Sequence, residues 1–231
     1  MDMKWRYSPR FHKVWSLAAC LLLLAGWALA APVNLPPASQ TDGYVARLLI
    51  NEVPFPGERG YRSEQDTMAA MDQLLHVLDG RLKGVPVPYQ QQQIASVRAN
   101  NILDIITAGG ERGQLDGFYR DSSGKAVMVP RVTARVDNLV TIARKGEPGK
   151  FARLLNYAAG LATFYVGGTL KAPDRYDALR NVQGVPVTGG AFSWMTDEAR
   201  FHPGGNFMRI ADSQQGSLGG NRFFTLRKEP K

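Results

Sequence analysis

An acid stands where the helical pattern calls for an apolar residue. The stretch after Thr41 and Asp42 carries Val45, Leu48 and Leu49 at helical spacing. Seven residues on from Val45 the same stripe reaches Glu52, just before Pro54 and Pro56 end the helix. A carboxyl group on an apolar helix face loses hydration, which penalises its charged form and raises its pKa. Such an acid keeps its proton near neutrality and can give it to a leaving oxygen, the task of the acid in glycoside cleavage. The position also suits an acid facing solvent at a helix end, or one that accepts hydrogen bonds from Arg47 or Arg59.

A two-acid hydrolase needs a partner carboxylate. Glu58, Glu111 and Asp116 are available, and Asp116 stands out because it lies in the Gly-rich stretch 109–117, beside Phe118 and Tyr119. Spacing pairs none of them with Glu52, and each also fits a solvated or turn-stabilising side chain. Phe118, Tyr119, Tyr157, Phe192, Trp194 and Phe201 offer rings that could stack on a sugar. Tyr157 and Phe192 read as packing, and Tyr119 and Trp194 are the better candidate platforms.

Other chemistries find little support. His76 and His202 lack a second His or Cys at metal-ligand spacing, so no zinc site is expected. His76 follows Asp72 by one helical turn and reads as a local ion pair; His202 precedes Pro203-Gly204-Gly205 and reads as part of a turn. There is no Gly-x-Ser-x-Gly elbow or dinucleotide fingerprint. Gly146-Glu147-Pro148-Gly149-Lys150 is too short for a phosphate loop and lacks its Ser or Thr. No cofactor is expected.

The elements that must position these residues lie behind an address. Met1 to Lys13 is basic, Val14 to Leu29 is nearly all apolar around Leu21 to Leu24, and Ala28-Leu29-Ala30 offers small residues for cleavage. Residues 1–30 therefore read as a signal peptide for secretion or delivery to the periplasm. The alternatives are an uncleaved N-terminal anchor, or lipidation at Cys20, which Leu17-Ala18-Ala19 precedes. After export no cysteine remains, so packing rather than disulfides must hold the fold. Lys4, Arg6, Arg10 and Lys13 against Asp2 carry +3 of the net +8, leaving +5 for the exported part. Without a compact basic run this is too weak to imply nucleic acid, and no nucleic-acid partner is expected, while a mild positive charge suits an anionic surface such as a bacterial wall.

Residues 31–43, opening with the Pro-rich run Ala31 to Gln40, read as a tether, and residues 44–231 as one domain. A second helix begins at a Ser63 cap with Asp66 three residues on, runs along Met68, Met71, Leu75, Leu78 and Leu82, and ends at Gly84 and Pro86. Shorter helical pieces follow through Ile94 and Val97, then through Ile102, Ile105 and Ile106. Phe118 to Arg120 and Ala126 to Val129 form a hairpin about Asp121-Ser122-Ser123-Gly124. Two more helices follow, one carrying Val132, Val136 and Leu139, the other Phe151, Leu155 and Leu161. Val185 to Met195, Asn206 to Ile210 and Arg222 to Leu226 read as strands. The expected class is α+β, predominantly helical, with short β elements mainly near the C-terminus.

Three separated segments resemble one family, the bacterial cell-wall hydrolases related to spore-cortex-lytic enzymes. Leu48 to Glu58 with the helix after it is similar to the family's opening, in which a Glu ends the first helix. Gly113-Gln114 with Phe118 nearby looks like its Gly-Gln-aromatic loop. Gly189-Gly190-Ala191-Phe192 and Gly220-Asn221-Arg222-Phe223-Phe224 are similar to its closing strands. The resemblance spans most of Val45 to Leu226, with departures at Asn51, Val53, Pro54-Phe55-Pro56, Leu115-Asp116-Gly117 and the long stretch from Thr196 to Ser217. It implies a lysozyme-like fold, action on peptidoglycan glycan strands and Glu52 as the catalytic acid. Hydrolysis and lytic transglycosylation both remain open, and the second needs only one acid. Gln114, Asp116, Tyr119 and Trp194 are the expected groove residues. A non-catalytic peptidoglycan-binding or envelope scaffold module of the same fold is the alternative.

Overall fold

The structure is a computed structural model that describes residues 32–145, 149–169, 174–197 and 203–230. The expected signal peptide with Cys20, together with Phe201 and His202, lies outside the described residues.

Helices α1 (Thr41–Glu52), α2 (Glu64–Lys83), α3 (Gln91–Ala95) and α4 (Ile102–Ile106) come first. The hairpin of β1 (Phe118–Arg120) and β2 (Ala126–Met128) leads into α5 (Pro130–Lys145) and α6 (Gly149–Val166). Then come β3 (Asn181–Val182), β4 (Val185–Pro186), β5 (Ser193–Thr196), β6 (Phe207–Arg209), β7 (Ser217–Leu218) and β8 (Asn221–Leu226). The class is α+β.

Helix α1 is buried on nearly every side. It packs against α6, α5 and α2, and Tyr44, Val45, Ala46, Leu48, Leu49 and Ile50 are all sealed from solvent. Burying a side chain of this size stabilises the fold by about 1.5–3 kcal/mol. The stripe through Val45 is therefore one face among several, and it does not by itself aim Glu52 anywhere.

Helix α2 starts as its sequence predicts. Ser63 Oγ accepts the Asp66 N–H at 3.0 Å, and the Gly84 N–H closes the far end on Gly80 O at 2.9 Å. Met71, Leu74, Leu75 and Leu78 enter the core, accompanied by three polar side chains, Thr67, Gln73 and Arg81. Behind α2, β8 lies centrally in an antiparallel sheet of order β5-β8-β6, with β7 also paired to it, and every β8 residue is buried.

Three expectations are corrected. The tether is folded down: Thr41 to Gly43 form the first turn of α1, and Arg47 Nη1 donates to Pro36 O at 2.7 Å. A Cβ on Gly43 would sit 2.0 Å from Pro37 O, so only glycine allows this approach. The helical piece α3 ends at Ala95, short of Val97, because Ser96 turns left-handed at φ 57°. The strand expected over Val185 to Met195 is interrupted after Pro186 by a turn through Gly189 and Gly190, whose φ values are 83° and 69°, and it resumes at Ser193.

Candidate active site

The site grows from the C-terminal end of α1. A helix leaves its last carbonyls without partners, and α1 has no basic residue in its last turn to serve them. Distant side chains do so instead. Arg135, on α5, donates through Nη1 to Ile50 O at 2.6 Å and through Nη2 to Val53 O at 3.0 Å. Asn221, at the start of β8, donates through Nδ2 to Glu52 O at 2.7 Å. Arg135 also holds Glu58 at 2.5 Å, while Glu58 Oε2 accepts the Phe55 N–H at 2.7 Å. Glu58 is thus a loop brace, engaged away from the Glu52 carboxyl.

With its backbone clamped, Glu52 presents a carboxyl that is only partly exposed. Trp194 Nε1 donates to Oε2 at 3.0 Å and Asn51 Nδ2 to Oε1 at 3.3 Å. Burial is the largest influence on this group and raises its pKa above the ordinary carboxylate value. The bonds from Trp194 and Asn51 and the charge of Arg135 oppose the rise, whereas the charge of Asp116 adds to it. The negative end of the α1 dipole works in the same direction as burial.

Strand β8 sets both ends of this arrangement. In its pairing with β5, Trp194 lies opposite Phe223 and Thr196 opposite Asn221, so one register delivers the indole to the carboxyl and the amide to the carbonyl. A slip of one residue would turn Trp194 to the other face.

Beyond Trp194 lies a second tier. The Arg81 guanidinium stacks 5.4 Å from the indole centroid, donates from Nε to Phe192 O at 2.7 Å and from Nη1 to Gln114 Oε1 at 2.7 Å. Gln114 continues the chain by donating from Nε2 to Ser96 Oγ at 2.6 Å. Together these groups wall a groove of about 750 Å³, whose lining includes Glu52, Arg81, Ser96, Gln114, Asp116 and Trp194. That volume accommodates a few sugar rings.

Four of the five residues singled out from sequence therefore share one groove. Asp116 is at its rim, 69% exposed in its side chain and ion-paired with Arg131 at 2.6 Å. Tyr119 is the exception. On β1 it pairs with Val127, and strand alternation explains its absence from the lining: Phe118 turns into the core against Tyr44, with ring centroids 5.5 Å apart, so Tyr119 faces the other side. His76 is likewise elsewhere, in a separate hollow beside α2, while Asp72 accepts the Tyr157 hydroxyl at 2.8 Å.

Arg81 and Arg135 escaped the sequence reading, although both stand at helical spacing from apolar residues. Arg81 follows Leu74 by seven residues and Leu78 by three, the same arithmetic that picks out Glu52. Arg135 likewise follows Val132 by three residues and precedes Leu139 by four, but its partners lie 82 and 85 residues away, beyond any local rule.

Among the described residues no three His, Cys, Asp or Glu side chains stand close enough to hold a metal ion, and no helix is long and apolar enough to cross a membrane. What the groove offers is one desolvated carboxyl, fixed in direction, suited to passing a proton to a bound ligand and taking one back. No family model matches the chain, and neither a curated protein nor a solved structure matches it.

Proposed function

We propose that this protein is an exported, lysozyme-like enzyme that cleaves the glycan strands of peptidoglycan, with Glu52 as its single general acid and base. The observation that carries the reading is the Glu52 carboxyl itself, desolvated, bonded to Trp194 and Asn51, and set in the wall of a groove of about 750 Å³. Two further facts support it. The segments that resemble the cell-wall hydrolases converge here: Gln114 lines the groove, Phe192 O receives Arg81, and Asn221 holds the Glu52 carbonyl. Of the three carboxylates first considered as partners, Glu58 is paired with Arg135, and Asp116, at the groove rim, with Arg131.

Protonated Glu52 gives its proton to the glycosidic oxygen as the bond from that oxygen to C1 breaks. The resulting carboxylate then takes a proton from the attacking hydroxyl as the new bond to C1 forms. The attacker is water in hydrolysis, or the sugar's own 6-hydroxyl in lytic transglycosylation; the second route needs no partner carboxylate.

The test is incubation with purified peptidoglycan and mass spectrometry of the soluble fragments. Wild type releases glycan fragments, with reducing ends marking hydrolysis and anhydro ends marking transglycosylation. Glu52→Gln slows release by about 10²–10⁴-fold. Equal trace release from both proteins would overturn the enzymatic reading, and sedimentation with peptidoglycan without release would make the chain a wall-binding module instead.

A further inference from the structure

Arg81 is only 5% exposed, yet it lines the groove. Its Nε and Nη1 are engaged by Phe192 O and the Gln114 side chain, and its face by the Trp194 ring. No described residue accepts a hydrogen bond from Nη2, which is not sealed from solvent. No carboxylate among the described residues lies within ion-pair distance of the guanidinium. Burial pushes its pKa down to about 10, which leaves it charged at neutral pH.

A buried charge is costly unless something pairs with it. The described acids around this groove do not supply the pairing. Asp116 is taken by Arg131, and the Glu52 carboxyl is bonded to Trp194 and Asn51 and driven by burial toward its neutral form. Among the described residues, the groove wall thus holds one desolvated positive charge whose Nη2 edge meets no acceptor, beside the largely buried indole of Trp194.

We propose that the groove recognises an anionic saccharide, a carboxylate of the bound glycan docking on the Nη2 edge of Arg81. This rests on the glycan reading above and narrows it from sugar in general to acid-bearing sugar. In peptidoglycan the carboxylate has two sources, the 3-O-lactyl group of a peptide-free strand and the acidic groups of a stem peptide. Both present the same chemistry to a guanidinium.

Calorimetry on Glu52→Gln, which keeps the ligand uncut, distinguishes them. Four probes are used: the β-1,4-linked N-acetylglucosamine tetrasaccharide, the alternating tetrasaccharide with free lactyl carboxylates, that compound with each carboxylate converted to its methylamide, and the stem-peptide-bearing form. The lactyl compound is expected to bind about tenfold tighter than the neutral tetrasaccharide or more, the methylamide to lose that advantage, and added salt to shrink it. Preference for the peptide-bearing form alone assigns the carboxylate to the stem. Adding Arg81→Gln, with its fold checked by thermal melting, abolishes the preference while neutral glycan still binds. Equal affinity for acidic, neutral and methylamide ligands, or no binding of any, overturns the proposal. If peptidoglycan is nonetheless cleaved in a Glu52-dependent way, the enzymatic reading survives that failure. Because the methylamide probe alters only the ligand, the test holds even if the Arg81 variant does not fold.

Discussion

The indole of Trp194 donates to the Glu52 carboxyl over 3.0 Å, joining residues 142 positions apart. Burial favours the protonated acid, whereas this bond favours the carboxylate. Trp194→Phe removes the donor and keeps most of the apolar surface. The Glu52 pKa should then rise further, which carboxyl-resolved NMR titration reads directly. If Glu52 acts as the proton donor, the alkaline limb of the pH–activity profile moves to higher pH as well. An unmoved titration would show that the bond does not tune the acid.

Stability should respond to the same group with a definite sign. The folded pKa of Glu52 is raised, so between the unfolded value and the folded value the native state binds more protons. Stability contributed by the protonated carboxyl is fully present below the unfolded pKa and is lost as pH rises through the folded one. Glu52→Gln, which never has to ionise, should melt higher than wild type at pH 8, with the gap closing toward pH 4. A pH-independent gap in calorimetric melting curves would contradict this.

Arg135 is expected to position the acid without touching a ligand. Arg135→Ala leaves Ile50 O and Val53 O without this donor and removes the ion pair of Glu58. The cost is about 1–3 kcal/mol in denaturant unfolding. Arg135→Lys recovers only part of that, since one ammonium cannot match a planar fork that serves two carbonyls and a carboxylate. In fragment-release assays kcat should fall more than KM rises, because the helix end drifts while the groove persists.

Gly113 holds the Gln114 loop by close approach. A Cβ there would lie 2.2 Å from Ala108 O and 2.8 Å from the Gly109 carbonyl carbon, and backbone cannot step aside cheaply. Gly113→Ala should cost about 2 kcal/mol or more and loosen the contacts of Gln114 with Arg81 and Ser96. Hydrogen exchange across residues 108–117 would report the loosening, and unchanged protection would count against it.

Some of this was legible in the chain itself. The Ser63 cap, the Gly84 stop and the β1–β2 hairpin about Asp121 depend on neighbours three or four residues away. The division of Val185 to Met195 into two strands was not, because Gly189 fits its turn only against Asp177 and Leu179 of a preceding segment. Tyr119 looked equivalent to Trp194 as a ring beside a polar loop, yet strand alternation sent one away from the groove and register brought the other to it.

Sequence by itself determined that an acid would end the first helix, followed by a stiff proline turn, because helical period and chain stops are local properties. It could not determine what that acid would feel. The donor at its carboxyl, the amide at its carbonyl and the guanidinium clamping its helix end come from 142, 169 and 85 residues away. The pKa and direction of a carboxyl depend on the groups within a few ångströms of it, and only the pairing of β5 with β8 and the packing of α5 against α1 bring those groups there.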